Sequence, residues 1–408
     1  MPLPTPFHGR TAALCESHEW RDWAGYLAAA TYEPSHEREY YAIRNAAALI
    51  DVSPLFKYDI SGSDAERLLN RTLTRDVSGC RVGQVLYSAW CDERGKMVDD
   101  GTIWRLEQEH FRLTAAEPNL RWLQDCGRDL EVTVTDTSDE LAALALQGPR
   151  ARRILAEVLT DVDLDRLGYY RLDHGHIRGF PVTVTRTGFT GDLGYELWLA
   201  PGHAGQLWDI LLSAGSPHGL LPAGMVALDI ARIEAGLLLI DVDYVSARHA
   251  LTEAKMSSPY EAGLGWTVAL DKGPFVGRQA LADEQARGPT WRLVGLEIDW
   301  PALEALYARY DLPPQVAGRP SRQAEPVYDE NAVQVGQATS RTFSPILKKY
   351  IALATVKSFY AEPGQRLSVE LTVEFSRHRA PATVVRLPFF DPPRKRSLPA
   401  DATEVSEG

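Results

Sequence analysis

An α+β chain of two or three domains, ending in a small antiparallel β-domain, is the architecture this sequence predicts. Three observations predict it. At 408 residues the chain exceeds what one core ordinarily serves. Up to about residue 289, runs with strand alternation interleave with stretches of helical spacing. Beyond Pro289 the apolar runs 291–298, 326–335, 350–356, 366–373 and 382–387 are short and separated by Gly, Pro and charge, the pattern of an antiparallel sheet.

Taken in order, residues 16–30 mix Trp20, Trp23, Tyr26 and Leu27 with charge and read as a helical or irregular cap. Residues 35–49 read as a helix, with Tyr40, Ile43, Ala47 and Ile50 at three- to four-residue spacing, broken before Pro54. Residues 56–60 alternate as a strand. Ser63 and Glu66 have capping-box spacing and open a helix through Leu69 and Leu73. Strands follow at 86–91, 97–106 and 111–115, then a helix from Leu120, strands at 131–135 and 141–147, and a helix begun by Gly148 and Pro149. Strands 180–187 and 195–199 flank a glycine-rich loop. Helices are expected at 204–212 and 224–238, the second with Ile230, Ile233 and Leu237 on one face and Arg232 and Glu234 off it. The tail 391–408 reads as disordered. No internal repeat is evident.

Composition narrows the function. A net charge of −12 argues against a general nucleic-acid binder, yet permits a small anion in a local basic pocket. No apolar run approaches the ~20 residues of a membrane span, and the N-terminus lacks the basic and apolar regions of a signal peptide. Cys15, Cys80, Cys91 and Cys126 have no CxxC spacing, so free thiols are expected, with no disulfide and no metal site. A cytoplasmic location follows as the expectation.

Chemistry concentrates in residues 87–104. Asp92 to Gly95 is turn chemistry between two strands, with Gly95 able to take positive φ. Asp99 and Asp100 interrupt the returning strand. Strand neighbours point to opposite faces, so one carboxylate faces inward, where it needs partners or a job. It either binds backbone amides at a bend or does chemistry.

Several stretches together resemble the glycine-cleavage T-protein (aminomethyltransferase) superfamily. They are IDVS (50–53), the 87–100 hairpin, LQGP (146–149), RTGFTGDLGYE (186–196), RIEAG (232–236), GLGW (263–266), FVGR (275–278), SRTFSP (340–345) and IALA (351–354). They stand in the family's order across about residues 7–390. The resemblance implies a three-domain fold around a central hole that holds tetrahydrofolate. It implies a first domain from 1–51 with 143–245, a second from 52–142 with 246–289, and a C-terminal β-domain over 290–390. Asp100 matches the family's catalytic carboxylate, with Asp99 its outward neighbour. Glu196 matches the carboxylate that pairs with the pterin's amino-pyrimidine edge, as a charge-assisted acceptor of two N–H donors. Tyr87, Leu55 and Trp104 match pocket-lining positions, and Phe189 and Arg186 sit in the loop before Glu196.

The implied activity is transfer of a methyl or methylene group from a small methylated or aminomethylated compound to tetrahydrofolate. Departures separate the chain from T-protein proper. Leu228 stands before Asp229 where that protein has Arg, and Ala116 stands where it has Asn. The glycine loop carries Phe189 for Tyr and Asp192 for Glu. The ALD pattern at 227–229 is closer to the folate domains of dimethylglycine- and sarcosine-oxidising enzymes. About a dozen extra residues within 241–256 bring Tyr244, Arg248 and His249 as substrate-side candidates, or form a solvated excursion. A lipoylated carrier partner is accordingly not expected. The alternatives are a glycine-cleavage aminomethyltransferase and a non-catalytic folate-binding module. Against the last, no Cys follows Cys126.

Overall fold

The computed structural model describes residues 1–398 and is organised by three sheets. The largest has seven strands in the order Leu159–Thr160, Leu172–Ile177, Phe180–Thr185, Gly194–Leu199, Ala142–Gln147, Ala47–Asp51 and Leu220–Pro222. Only the last pairs in parallel. Its central strands are covered on both faces. Leu49, Leu144 and Leu146 pack beneath the helix Ala204–Gly215 with Phe7 and Trp208. Ile50, Ala143 and Ala145 face Tyr40, Ile43, Ala227 and Ile230. This two-sided burial explains why these strands read as continuous apolar runs.

A second, all-antiparallel sheet has the order Val85–Cys91, Met97–Glu107, His110–Ala115, Phe56–Ser61 and Thr133–Asp136. The third closes into a six-stranded barrel of Trp291–Ile298, Lys349–Lys357, Gln334–Ser344, Glu325–Tyr328, Arg366–Val373 and Ser376–Val385. Closure removes the exposed edges that short strands would otherwise present.

The helix Met225–Glu234 joins these units. It is buried from Val226 to Glu234, charges included. The Arg44 guanidinium donates to Glu234 Oε2 at 2.6 Å, while the Tyr40 and Ser344 hydroxyls donate to Oε1 at 2.5 and 2.6 Å. Asp229 accepts from Arg232 at 2.8 Å and from Arg322 at 2.7 Å. Arg232 also donates to Asp243 at 2.5 Å and to Ser340 at 2.8 Å. The expectation that Arg232 and Glu234 lie off the buried face is therefore corrected. The helix is enclosed on every side, and its charges survive because each is paired.

Local readings were overturned elsewhere by tertiary contacts. Residues 20–29 form a β-hairpin, Trp20–Trp23 with Tyr26–Ala29, around a two-residue turn in which Ala24 and Gly25 both have positive φ. The helix expected over 35–49 stops at Asn45, and Ala47–Asp51 joins the large sheet. No capping box forms at 63–66; Asp64 instead accepts the Glu131 amide at 3.0 Å. A helix, Trp300–Ala308, sits within the barrel region, its N-terminus capped by Asp299. The tail expectation is corrected for 391–398. There Arg394 forks onto Asp192 at 2.7 and 2.8 Å. The rest of that expectation, 399–408, lies outside the described residues.

Glu234→Ala leaves the Arg44, Tyr40 and Ser344 donors without their shared acceptor. The expected loss is about 3–5 kcal/mol of unfolding free energy, read as a lowered urea midpoint by tryptophan fluorescence.

Candidate active site

The hairpin Val85–Cys91 with Met97–Glu107 sets the two carboxylates. Gly95 takes φ 72° at the turn, as its position demands. At Gly101 a Cβ would stand 1.9 Å from the Thr114 carbonyl oxygen, so only glycine lets the next strand approach there. Both aspartates are taken from bulk water, and Asp99, expected to face outward, is the more deeply buried. It accepts the Asp100 amide at 2.8 Å, the Glu117 amide at 2.9 Å and the Asn119 side-chain amide at 2.8 Å. Asp99 is thus the carboxylate that binds amides at a bend. Asp100 points the other way. The Tyr87 phenol donates to its Oδ2 and the Tyr244 phenol to its Oδ1. Burial pushes both carboxyls above the usual range, opposed by the two phenols at Asp100 and by the amides at Asp99.

Glu196 lies on the strand Gly194–Leu199. Thr187 and Thr185 donate to its Oε2 at 2.5 and 3.3 Å, and Oε1 has no partner among the described residues. Burial raises its pKa, with the two threonine hydroxyls pulling the other way. Tyr170 feels both acids. Burial, then Tyr169 and the Glu196 and Asp100 charges, keep its phenol protonated.

A cavity of about 840 Å³ opens between the strand Val85–Cys91, the barrel strands Trp291–Ile298 and Ser376–Val385, and the segments that carry Tyr170, Leu237 and Trp266. Tyr87, Tyr170, Leu237, Leu264, Trp266 and Leu293 furnish its aromatic and aliphatic wall. The Tyr87 and Trp266 rings stack with centroids 6.1 Å apart, and the Arg75 guanidinium lies 5.2 Å from the Trp266 centroid. Arg75, Arg292, Arg386, Lys395 and Arg396 also line this space, and no Asp or Glu among the described residues does, although Asp391 pairs with Arg396 and Lys395 at 2.7 and 3.8 Å and Glu362 with Arg292 at 3.9 Å.

The remaining expected residues are placed differently. Leu55 and Phe189 are half-buried against the cluster of Tyr40, Ile50 and Trp104. Trp104 is fully buried, edge-on to Trp198 at 4.7 Å, and sits behind the cavity wall. Arg186 turns to the tail, donating to the carbonyls of Leu167 at 3.0 Å and Ser397 at 2.7 Å. Arg248 donates to the Pro118 carbonyl at 2.9 Å, and His249 pairs with Asp241 at 2.8 Å on the surface. Of the three insertion candidates, only Tyr244 reaches Asp100. Sequence reasoning missed Tyr170, Trp266 and the cationic rim. Trp266 had a signal in GLGW, but the rim residues come from four separate regions of the chain. All four cysteines are free, and no cluster of metal-ligand type occurs among the described residues.

Two carboxylates behind the aromatic wall of a cavity between paired sheets and a closed barrel define a T-protein-like enzyme scaffold. Residues 7–272 match the GCVT N-terminal domain, and 312–391 match the glycine cleavage T-protein C-terminal barrel domain. The chain therefore belongs to the glycine cleavage T-protein (aminomethyltransferase) family. It is 34% identical to an aminomethyltransferase of Halothermothrix orenii, over 93% of this chain and 96% of that one. It is also 34% identical to a trimethylamine-oxide aldolase of Ruegeria pomeroyi, over 97% of this chain but 48% of that protein, so it spans about half of that relative. The crystal structure of aminomethyltransferase T from Bartonella henselae shares the fold, with a TM-score of 0.81 at 24% identity over 98% of this chain and all of that one.

A carboxyl whose pKa is raised by folding favours the fold when protonated and costs stability as pH rises through that pKa. Glu196→Gln should therefore raise the melting temperature of the ligand-free protein at pH 7.5. The gain should vanish as the pH falls below about 4, the ordinary glutamate range. Scanning calorimetry across pH reads the difference.

Proposed function

We propose that this chain binds tetrahydrofolate in the central cavity and moves a one-carbon unit onto it from a small methylated or aminomethylated compound. One observation carries the reading: Asp100 is fixed by two phenols behind Tyr87, a wall residue of the cavity, and Glu196, whose Oε1 has no partner among the described residues, stands near enough to Tyr170, another wall residue, for its charge to act on that phenol. The fit of the residues to a reduced pteridine is chemical. A flat, N–H-bearing ring system suits stacked aromatic walls and a free carboxylate oxygen. The carboxylates at the distal end of such a ligand suit a rim in which five Arg and Lys outnumber the two acids paired with them, Asp391 and Glu362.

When bound, tetrahydrofolate supplies the nitrogen nucleophile that takes up the one-carbon unit. Glu196 would accept from the ring's N–H edge and set its orientation. Asp100, already oriented, stabilises positive charge developing beside the reacting nitrogen and needs no reorganisation to do so. The Tyr87 and Tyr244 rings shield Asp100 from water, which strengthens the carboxylate's effect. Sequestering the reaction in this way suits an intermediate that water would otherwise intercept.

The donor is read as a free small molecule, without a lipoylated carrier protein. That choice is supported by the insertion: Tyr244 and Ser246 turn inward to Asp100 and the Val98 carbonyl, so the segment is packed against the site's own hairpin. The second reading, aminomethyl transfer within a glycine-cleavage system, is favoured by the near-full-length match to the Halothermothrix orenii aminomethyltransferase. Incubation with tetrahydrofolate and a panel of methylated amines, amine oxides, sulfonium compounds and aryl ethers separates them. Formation of 5-methyl- or 5,10-methylene-tetrahydrofolate from a free donor supports the first; turnover only with lipoylated carrier supports the second.

Asp100→Asn is expected to leave tetrahydrofolate affinity within a few-fold and to cut turnover by roughly 10²-fold or more. Near-normal turnover removes Asp100 from the chemistry. Absence of saturable tetrahydrofolate quenching of tryptophan fluorescence in the unsubstituted protein removes the folate reading altogether.

A further inference from the structure

We propose that Tyr244 is a positioning residue, and that the pair Asp243–Tyr244 ties the orientation of the Asp100 carboxylate to the barrel and the buried central helix. The inference rests on the reading of Asp100 given above, and deepens it.

The two neighbours divide the work. Asp243 is buried and fully engaged. Its Oδ1 accepts from Thr339 at 2.6 Å and from Ser340 at 2.7 Å, both on the barrel strand Gln334–Ser344. Its Oδ2 accepts from Arg232 at 2.5 Å and from the Leu239 amide at 2.9 Å. Four donors from the barrel, the central helix and the segment after it leave Asp243 little freedom to move. Tyr244, the next residue, is 2% exposed and sends its hydroxyl to Asp100 on the second sheet. The following residues clamp the same hairpin. Ala247 donates its amide to the Met97 carbonyl at 2.8 Å, and Ser246 its hydroxyl to the Val98 carbonyl at 2.7 Å.

Chemistry favours positioning over ligand contact. The cavity wall includes Tyr87 but not Tyr244. With Tyr87 on Oδ2 and Tyr244 on Oδ1, each oxygen of Asp100 has one donor and keeps acceptor capacity, so the carboxylate plane is fixed while it can still face a cation. The titratable groups around Asp100 are Tyr87, Tyr244, Asp99 and Tyr170. Removing one phenol removes a donor that favours the anion. Asp99, held by three N–H groups, remains and repels it. Both effects drive Asp100 toward protonation.

The test is a ¹³C NMR titration of the full chain labelled at aspartate Cγ, with the Asp100 signal assigned through D100N. Tyr244→Phe is expected to raise the Asp100 midpoint by about one pH unit and to leave tetrahydrofolate affinity within threefold. Tyr244 replaced by 3-fluorotyrosine, a more acidic donor of nearly the same shape, is expected to lower the midpoint. This arm remains informative even if the Phe variant does not fold. Midpoints unmoved in both variants overturn the proposal. So does a loss of tetrahydrofolate affinity in Tyr244→Phe with the Asp100 midpoint unchanged, since Tyr244 would then be a ligand contact. If the midpoints move as expected but the unsubstituted protein binds no tetrahydrofolate, the clamp stands and the folate reading falls.

Discussion

The buried charges of the helix Met225–Glu234 are the constraint on which the rest depends. A lone ion at such depth would cost several kcal/mol even after relaxation. Asp229, Arg232 and Glu234 can be there only while Arg44, Arg322, Asp243 and Ser344 are in reach. Those partners come from the helix before the large sheet, the segment between the barrel strands Trp291–Ile298 and Glu325–Tyr328, the insertion and the barrel strand Gln334–Ser344. Each unit must therefore dock correctly before the helix can be enclosed. The cavity exists because docking leaves space between the sheets while the helix fixes their separation.

That arrangement separates saturated carboxylates from partly satisfied ones. Asp99 and Asp243 are saturated with donors, and each sits next in sequence to a group aimed at the site. Asp100 and Glu196 are partly satisfied, each with acceptor capacity to spare. The fold thus places the fully paired Asp99 next to the partly satisfied Asp100, and the fully paired Asp243 next to the phenol that holds it. The raised pKa of Glu196 shows what that design costs the empty protein.

Much of this was legible in the sequence, for identifiable reasons. Four of the six barrel strands were visible because turn residues and apolar runs alternate there; the run 326–335 instead merges Glu325–Tyr328 with the start of Gln334–Ser344, across the turn at Asp329. The site hairpin was visible because Gly95 and its neighbours leave few other options. The hairpin at 20–29 was hidden because its turn uses Ala24 at φ 49° in a position usually held by Asn or Asp. The strand Leu172–Ile177 was hidden because its exposed positions are Asp173, His174 and His176 and no long apolar run marks it. The role of Asp99 was misjudged because alternation along a strand names two faces, not which is covered. Here both are. The true direction of Arg186 depended on tail residues more than 200 positions away, a distance no local pattern spans.

The rim of Arg75, Arg292, Arg386, Lys395 and Arg396 has a consequence for encounter. The chain as a whole repels anions, at −12. In cellular salt, however, fields fade over about 8 Å, so an anion at the mouth responds to these five cations and to Asp391 and Glu362, which pair with three of them, a local balance that stays positive, and hardly to more distant acids. Capture is then governed by a local positive funnel on a negative body. Such a body repels other acidic macromolecules and still presents a positive entrance to a small anion.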